Sequence, residues 1–197
     1  MRRFRCGLCT LKNANETEVK IPLSDRAAVE RRIAQAGFQV STPREFEAND
    51  IYDTEDQSLR QKEMILRLRQ SGENAVITWK GPGVPGPHKS RPELETSIGS
   101  LDIIERIFEQ LGYTRAFRYE KFRTEYSDWE GTGVVTVDET PIGDFMEIEG
   151  PAKWIDTTAG QLGFSQKDYR LESYGKLYLN YCKENGLEPG NMVFESH

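Results

Sequence analysis

Along much of this chain, charged or polar residues alternate one for one with apolar ones. The first such run is Glu16-Thr17-Glu18-Val19-Lys20-Ile21. A strand sends successive side chains to opposite faces, so Glu16, Glu18 and Lys20 share one face and Thr17, Val19 and Ile21 share the other. The spacing predicts a strand over 16–23. Similar alternation predicts strands over 44–54, 64–69, 75–80, 89–97, 117–127, 134–139 and 145–150, about eight in all. Short connections such as Ser71-Gly72-Glu73-Asn74 and Gly131-Thr132-Gly133 make most pairings antiparallel.

The period lengthens in three or four places. A helix runs from Ser24 to Gly37, with Ser24 as N-cap, Asp25 favouring its positive end, and Ala27, Ala28, Ile33 and Ala36 in its buried stripe. Ser100 caps a second helix that ends at Gly112, with Leu101, Ile104, Ile107, Phe108 and Leu111 as its apolar stripe. A short helix is compatible with 55–63, and a weak one lies near 156–163. A longer helix runs from Ser173 to Gly186, with Leu177, Tyr178, Tyr181 and Cys182 inward. Residues 1–13 and 187–197 lack clear periodicity and read as an N-terminal arm and a C-terminal tail around one domain at 14–186.

Composition changes this picture in one respect. The chain of 197 residues is 37% hydrophobic and 29% charged, polar for a globular domain, yet its 9 Phe, 8 Tyr and 3 Trp are too many for a disordered one. Taken alone, the run Glu16–Lys20 fits an edge strand with a solvated charged face. Repeated on strand after strand, it fits a sheet closed on itself, apolar faces outward under helices and charged faces inward. The expected fold is α+β, a closed antiparallel eight-stranded barrel with helices outside. Buried charge is costly unless paired or bound to a metal. Such a lumen therefore has to hold water, metal and a highly charged ligand. Glu16, Glu18, Asp138, Glu147 and Glu149 are hard oxygen donors suited to Mg²⁺ or Mn²⁺. Lys20, Arg67, Arg69, Lys80, Arg91, Lys121 and Arg123 are phosphate-binding types. Together they suit phosphoryl transfer from a polyphosphate.

Other classes are disfavoured. A net charge of −6 argues against general nucleic-acid binding. No apolar run is long enough for a signal peptide or a membrane span. Cys6, Cys9 and Cys182 make an odd count, which points to a reducing compartment and hence the cytoplasm. The Cys6-x-x-Cys9 pair has no second pair nearby to complete a zinc site. The loop Gly81–Pro87 is too rich in Pro to cradle phosphate with backbone donors. His88 lies in that loop and His197 at the terminus, so neither is placed as a base. Walker and Gly-x-Ser-x-Gly motifs are absent.

The sequence resembles the CYTH family, the triphosphate tunnel metalloenzymes, which includes class IV adenylyl cyclases, thiamine triphosphatases and inorganic triphosphatases. The resemblance rests on Glu16-x-Glu18-x-Lys20, Leu66-Arg67-Leu68-Arg69, Trp79-Lys80-Gly81-Pro82, Arg91-x-Glu93-x-Glu95, Glu120-Lys121-x-Arg123, Val137-Asp138 and Phe145-x-Glu147-Ile148-Glu149, in register over roughly 14–182. It implies the same closed barrel. It also implies metal binding by Glu16 and Glu18 with Asp138, Glu147 and Glu149. Lys20, Arg67, Arg69, Lys80, Lys121 and Arg123 would grip the triphosphate. Arg91, Glu93 and Glu95 line the tunnel or form a structural ion-pair ladder, and Lys20 also orients the attacking group. Tyr113–Tyr126 and Asp138–Phe145 look most like the class IV cyclase branch, which implies conversion of ATP to cyclic AMP and pyrophosphate. The alternatives are a triphosphatase acting on tripolyphosphate, thiamine triphosphate or a nucleoside triphosphate, and a non-catalytic polyphosphate-binding module. Nucleic-acid and membrane partners are not expected, and the resemblance is compatible with a homodimer.

Overall fold

The computed structural model describes residues 12–195. The expected N-terminal arm, with Cys6 and Cys9, falls outside the described residues except for the start of the first strand. Eight strands close into one antiparallel barrel: β1 (Lys12–Leu23), β2 (Gln39–Thr54), β3 (Ile65–Ser71), β4 (Asn74–Lys80), β5 (Lys89–Ile98), β6 (Tyr113–Ser127), β7 (Val134–Thr140) and β8 (Gly143–Glu149). Their order around the barrel is β1-β5-β4-β3-β2-β6-β7-β8. Two meanders, β2–β5 and β6–β8, thus meet at the β2–β6 pairing, and β1 closes the gap between β5 and β8. Closure leaves no long sheet edge to protect.

Five α-helices lie outside the wall among the described residues: α1 (Arg26–Gln35), α2 (Ser58–Gln61), α3 (Leu101–Gln110), α4 (Ala152–Gln161) and α5 (Tyr174–Asn185). The outward side chains Val19, Ile21, Val135, Val137, Met146 and Ile148 form one core with Val29 and Ile33 of α1 and Ile155 and Ala159 of α4. Helix α3 covers a second cluster with Tyr52 and Leu68. Asp25, not Ser24, caps α1, its carboxylate accepting the Ala28 amide at 2.9 Å. Ala27 and Ala36 of the expected stripe are exposed, and Val29 and Ile33 are the buried anchors. On α3, Ile107 and Leu111 are likewise exposed, because the helix lies on the Phe108 side. Helix α4 begins before the expected 156, directly after Pro151.

Within the segment expected as a tail, the stretch around Met192 and Phe194 is laid against the barrel. β6 pairs with β7 only from Phe122 onward, so its earlier half has a free side. Met192 occupies that side: its amide donates to Arg118 O (3.0 Å) and its carbonyl accepts from the Glu120 amide (2.9 Å). The Met192 side chain is buried, and Phe194 packs on Phe122.

Candidate active site in the barrel lumen

Period two sends one side chain in each pair into the barrel, and the register decides which of them meet. Glu18 lies opposite Lys89 on β5 and Glu149 on β8; Lys20 lies opposite Glu147; Arg123 lies opposite Asp138. Lys80, closing β4, reaches Glu16, with Nζ 2.6 and 2.5 Å from its two oxygens. Glu18 Oε1 accepts from Lys20 (2.9 Å) and from Lys89 (2.5 Å). Lys20 also contacts Glu147 Oε1 at 2.8 Å, so one ammonium bridges two carboxylates. Arg123 bonds both oxygens of Asp138, at 2.7 and 2.6 Å, and also Glu147 Oε2. Lys121 adds a third cationic donor to Asp138 (3.0 Å), and the Tyr174 hydroxyl of α5 a fourth bond (2.6 Å). Arg67 and Arg69 share Glu95, and Arg69 and Lys121 flank Glu47.

These groups are buried, and their charges are set by one another. Burial opposes the charge on Lys20, but Glu147 and Glu18 outweigh it and hold the ammonium well above its usual range. Burial would push the carboxyls of Glu18 and Glu147 up, yet the surrounding cations hold both well below the usual range. Glu47 is treated likewise by Lys121, Arg123 and Arg69, down to about 2. Burial, then Asp138 and Glu147, push the Tyr174 phenol far up. Lys20, Glu18, Glu147 and Glu47 are thus held charged at neutral pH by their neighbours.

All twelve site residues expected from the sequence lie on the inner face, and eleven line a single cavity of about 880 Å³; Asp138 lies behind its lining. Their contacts separate them. Asp138 has both oxygens taken by Arg123, Lys121 and Tyr174 and is wholly buried. Arg91 donates to two backbone carbonyls, Gly81 O (2.8 Å) and Glu63 O (2.9 Å), tying the β4–β5 and β2–β3 connections together. Several lumen groups were not singled out from the sequence as site residues: Lys89, Glu47, Thr136, Asn49 and Tyr174. Lys89 shares the parity of Arg91, and Glu47 that of Asn49, which was the available signal. The Asn49 amide, the Thr136 hydroxyl and Arg67 Nε are buried without a hydrogen-bond partner among the described residues. Part of the cavity lining is apolar and aromatic. Phe117 stacks on Tyr119 (6.0 Å) and Tyr178 (5.8 Å), with Ile51 and Met64 beside them on the lining.

The fold and site define a class, a closed antiparallel tunnel barrel whose lumen holds interleaved carboxylates and cations. The chain belongs to the CYTH domain family, whose model matches residues 14–161. A Methanocaldococcus jannaschii protein named "Putative adenylate cyclase" is 27% identical over 172 residues, 86% of this chain and 92% of that protein. A Vibrio parahaemolyticus structure with the same description superposes with a TM-score of 0.75 at 22% identity, over 84% of this chain and 98% of that one. A Hippeastrum structure, described as a "putative adenylyl cyclase" that reveals a dominant triphosphatase activity, has a TM-score of 0.57 at 17% identity, over 88% of this chain and 97% of that one.

Proposed function

We propose that this chain is a divalent-metal-dependent phosphoryl-transfer enzyme that binds a nucleoside triphosphate in its tunnel and acts as a class IV adenylyl cyclase. One observation carries the reading: a single cavity holds acidic residues, a basic array and an aromatic wall. Its volume of about 880 Å³ falls in the ordinary range for small-molecule sites. Bare tripolyphosphate needs the charges but not the stacked Phe117 and Tyr178, whereas a base gives that wall a purpose.

The lining fits Mg²⁺ or Mn²⁺ by its donor chemistry. Glu18 and Glu147 already hold one cationic nitrogen between them, at 2.9 and 2.8 Å, and all their donors are carboxylate oxygens. No cage of three or more acidic, His or Cys side chains stands preassembled among the described residues, so Glu16, Glu18 and Glu147 would exchange ammonium partners for the ion, with Glu149 beside them on the lining. When bound, the ion supplies Lewis-acid polarisation and charge neutralisation at the phosphates. Lys80, Lys121, Arg67, Arg69 and Arg123 bind and orient the triphosphate. Lys20, held protonated, acts as a fixed cation and not as a base. Asp138 positions Arg123, Lys121 and Tyr174, and Arg91 braces the two connections. In the cyclase reaction the ribose 3′-oxygen bonds to the α-phosphorus, the bond to pyrophosphate breaks, and the hydroxyl proton is released.

The second reading is triphosphate hydrolysis, and the dominant triphosphatase activity stated for the Hippeastrum neighbour favours it. A product assay separates them, with purified protein and Mg²⁺ or Mn²⁺ against ATP, tripolyphosphate and thiamine triphosphate. Cyclic AMP with pyrophosphate from ATP is the expected result. Orthophosphate without cyclic nucleotide makes the protein a triphosphatase, and no turnover of any substrate returns it to a binding module.

A further inference from the structure

Lys89 opens β5 directly opposite Glu18, and nothing in the reading above gives it a role. Its Nζ stands 2.5 Å from Glu18 Oε1, the oxygen that also takes Lys20 at 2.9 Å. Two ammonium groups therefore share one carboxylate oxygen. The side chain is 16% exposed and lines the cavity. An ammonium in that position is short of anion. Its backbone is held: the preceding His88 reaches Asp156 at 2.9 Å, and the Tyr169 hydroxyl donates to the same oxygen. The four-carbon stem stays free to re-aim its head.

We propose that Lys89 is a further substrate-binding residue, held on Glu18 in the unliganded tunnel and turned to the phosphate oxygens of the substrate when a divalent cation takes its place on Glu18. The inference rests on the phosphoryl-transfer reading. It makes metal and triphosphate mutually dependent. The ion releases Lys89 for the phosphates, and by linkage the phosphates tighten the ion equally.

The test is calorimetry under conditions where no orthophosphate is released. Mn²⁺ and tripolyphosphate are titrated singly and together into wild type, Lys89→Gln and Lys89→Arg. In the wild type each ligand tightens the other. Lys89→Gln binds Mn²⁺ alone several-fold more tightly, because Glu18 loses a competitor. It binds tripolyphosphate in the presence of Mn²⁺ about tenfold more weakly, the loss of one charge-assisted hydrogen bond, so the coupling falls. Lys89→Arg restores most of the coupling. Tighter Mn²⁺ with coupling intact in Lys89→Gln would reduce Lys89 to a counter-ion and overturn the proposal alone. Wild-type protein that binds no tripolyphosphate with Mn²⁺ would overturn the functional reading as well.

Discussion

On the outer face of β1, β7 and β8, Val19, Ile21, Val135, Val137, Met146 and Ile148 are 0 to 2% exposed; on the inner face of the same strands, Glu18, Lys20, Asp138 and Glu147 are 0 to 8% exposed. Burial is nearly equal and the chemistry is opposite. Outer burial removes apolar surface from water at about 25 cal/mol per Å², which favours folding directly. Inner burial desolvates ions, and pairing them roughly repays that cost, so an apolar replacement of similar shape is often no less stable. The jacket therefore holds the barrel together. The lumen's ion pairs do little more than offset their own desolvation while both partners stay charged.

Adjacent residues test that division most sharply. Met146 and Glu147 follow one another on β8 and point to opposite faces. Glu147→Gln keeps the shape and a hydrogen bond to Lys20 while removing the charge. Metal-dependent turnover of ATP should fall by about 10²–10³-fold, a larger effect than the accompanying loss of stability from leaving Lys20 and Arg123 one anion short. Full turnover in this variant would remove Glu147 from the site. Met146→Ala should do the reverse. Equilibrium unfolding in urea should show a loss of about 2–5 kcal/mol, with kcat/KM per folded molecule within a factor of about two. A large kcat/KM loss with stability preserved would mean that the two faces are not separable.

Acid gives a second, smaller contrast, because the carboxylates held deepest in ion pairs lie on the inner face. Glu47 illustrates the sign. Its carboxyl is held at about 2 in the folded protein, below its unfolded value, so it contributes stability that is full above about pH 4.5 and is lost as the pH falls toward 2. Glu18 and Glu147, also depressed, act in the same direction. A shift of this size is worth roughly 3 kcal/mol for Glu47. The urea midpoint should be flat from pH 7 to 5 and drop below 4, and Glu47→Gln should drop less steeply. Equal acid slopes in both proteins would show that Glu47 is not held by its cations.

The difference between the faces also explains what the sequence made legible. Strict period two marked the inner and outer faces of nearly every strand, and with them the closed barrel and its charged lumen. What alternation cannot carry is the partner. Lys89 has the parity of Arg91, but only the β1–β5 register shows one on Glu18 and the other on backbone carbonyls. Residue type marks Asp138 as a candidate metal donor but not its partners, Arg123 and Lys121 on one strand and Tyr174 on a distant helix. Met192 follows a Gly-Asn pair with no periodicity, and its burial depends on β6 outrunning β7. Ser100, Ser173 and Gly186 end their helices as expected, and the first cap was missed for a local reason: Ser24 and Asp25 are both good caps, and only the Ala28 amide decides between them.

Tyr174 belongs to both regions and sets the finest test. Its ring packs with Tyr119, Phe145 and Met192, an apolar cluster, and lies under the ammonium groups of Lys20 (5.1 Å) and Lys121 (5.3 Å). Its hydroxyl enters the charge lattice through Asp138. Tyr174→Phe keeps the ring and removes that bond, while Asp138 retains Arg123 and Lys121. If the regions are independent, the change should cost about 1 kcal/mol in urea unfolding, one net hydrogen bond, with kcat unchanged. The geometry argues for more than that. Asp138 also holds Arg123, and Arg123 holds Glu147, so a loosened Asp138 reaches the Glu147 carboxylate two contacts away. The expected result is therefore the same small stability loss together with a severalfold fall in kcat and little change in KM. A kcat within error of wild type would confine Tyr174 to the apolar cluster and restore the clean division between the two faces.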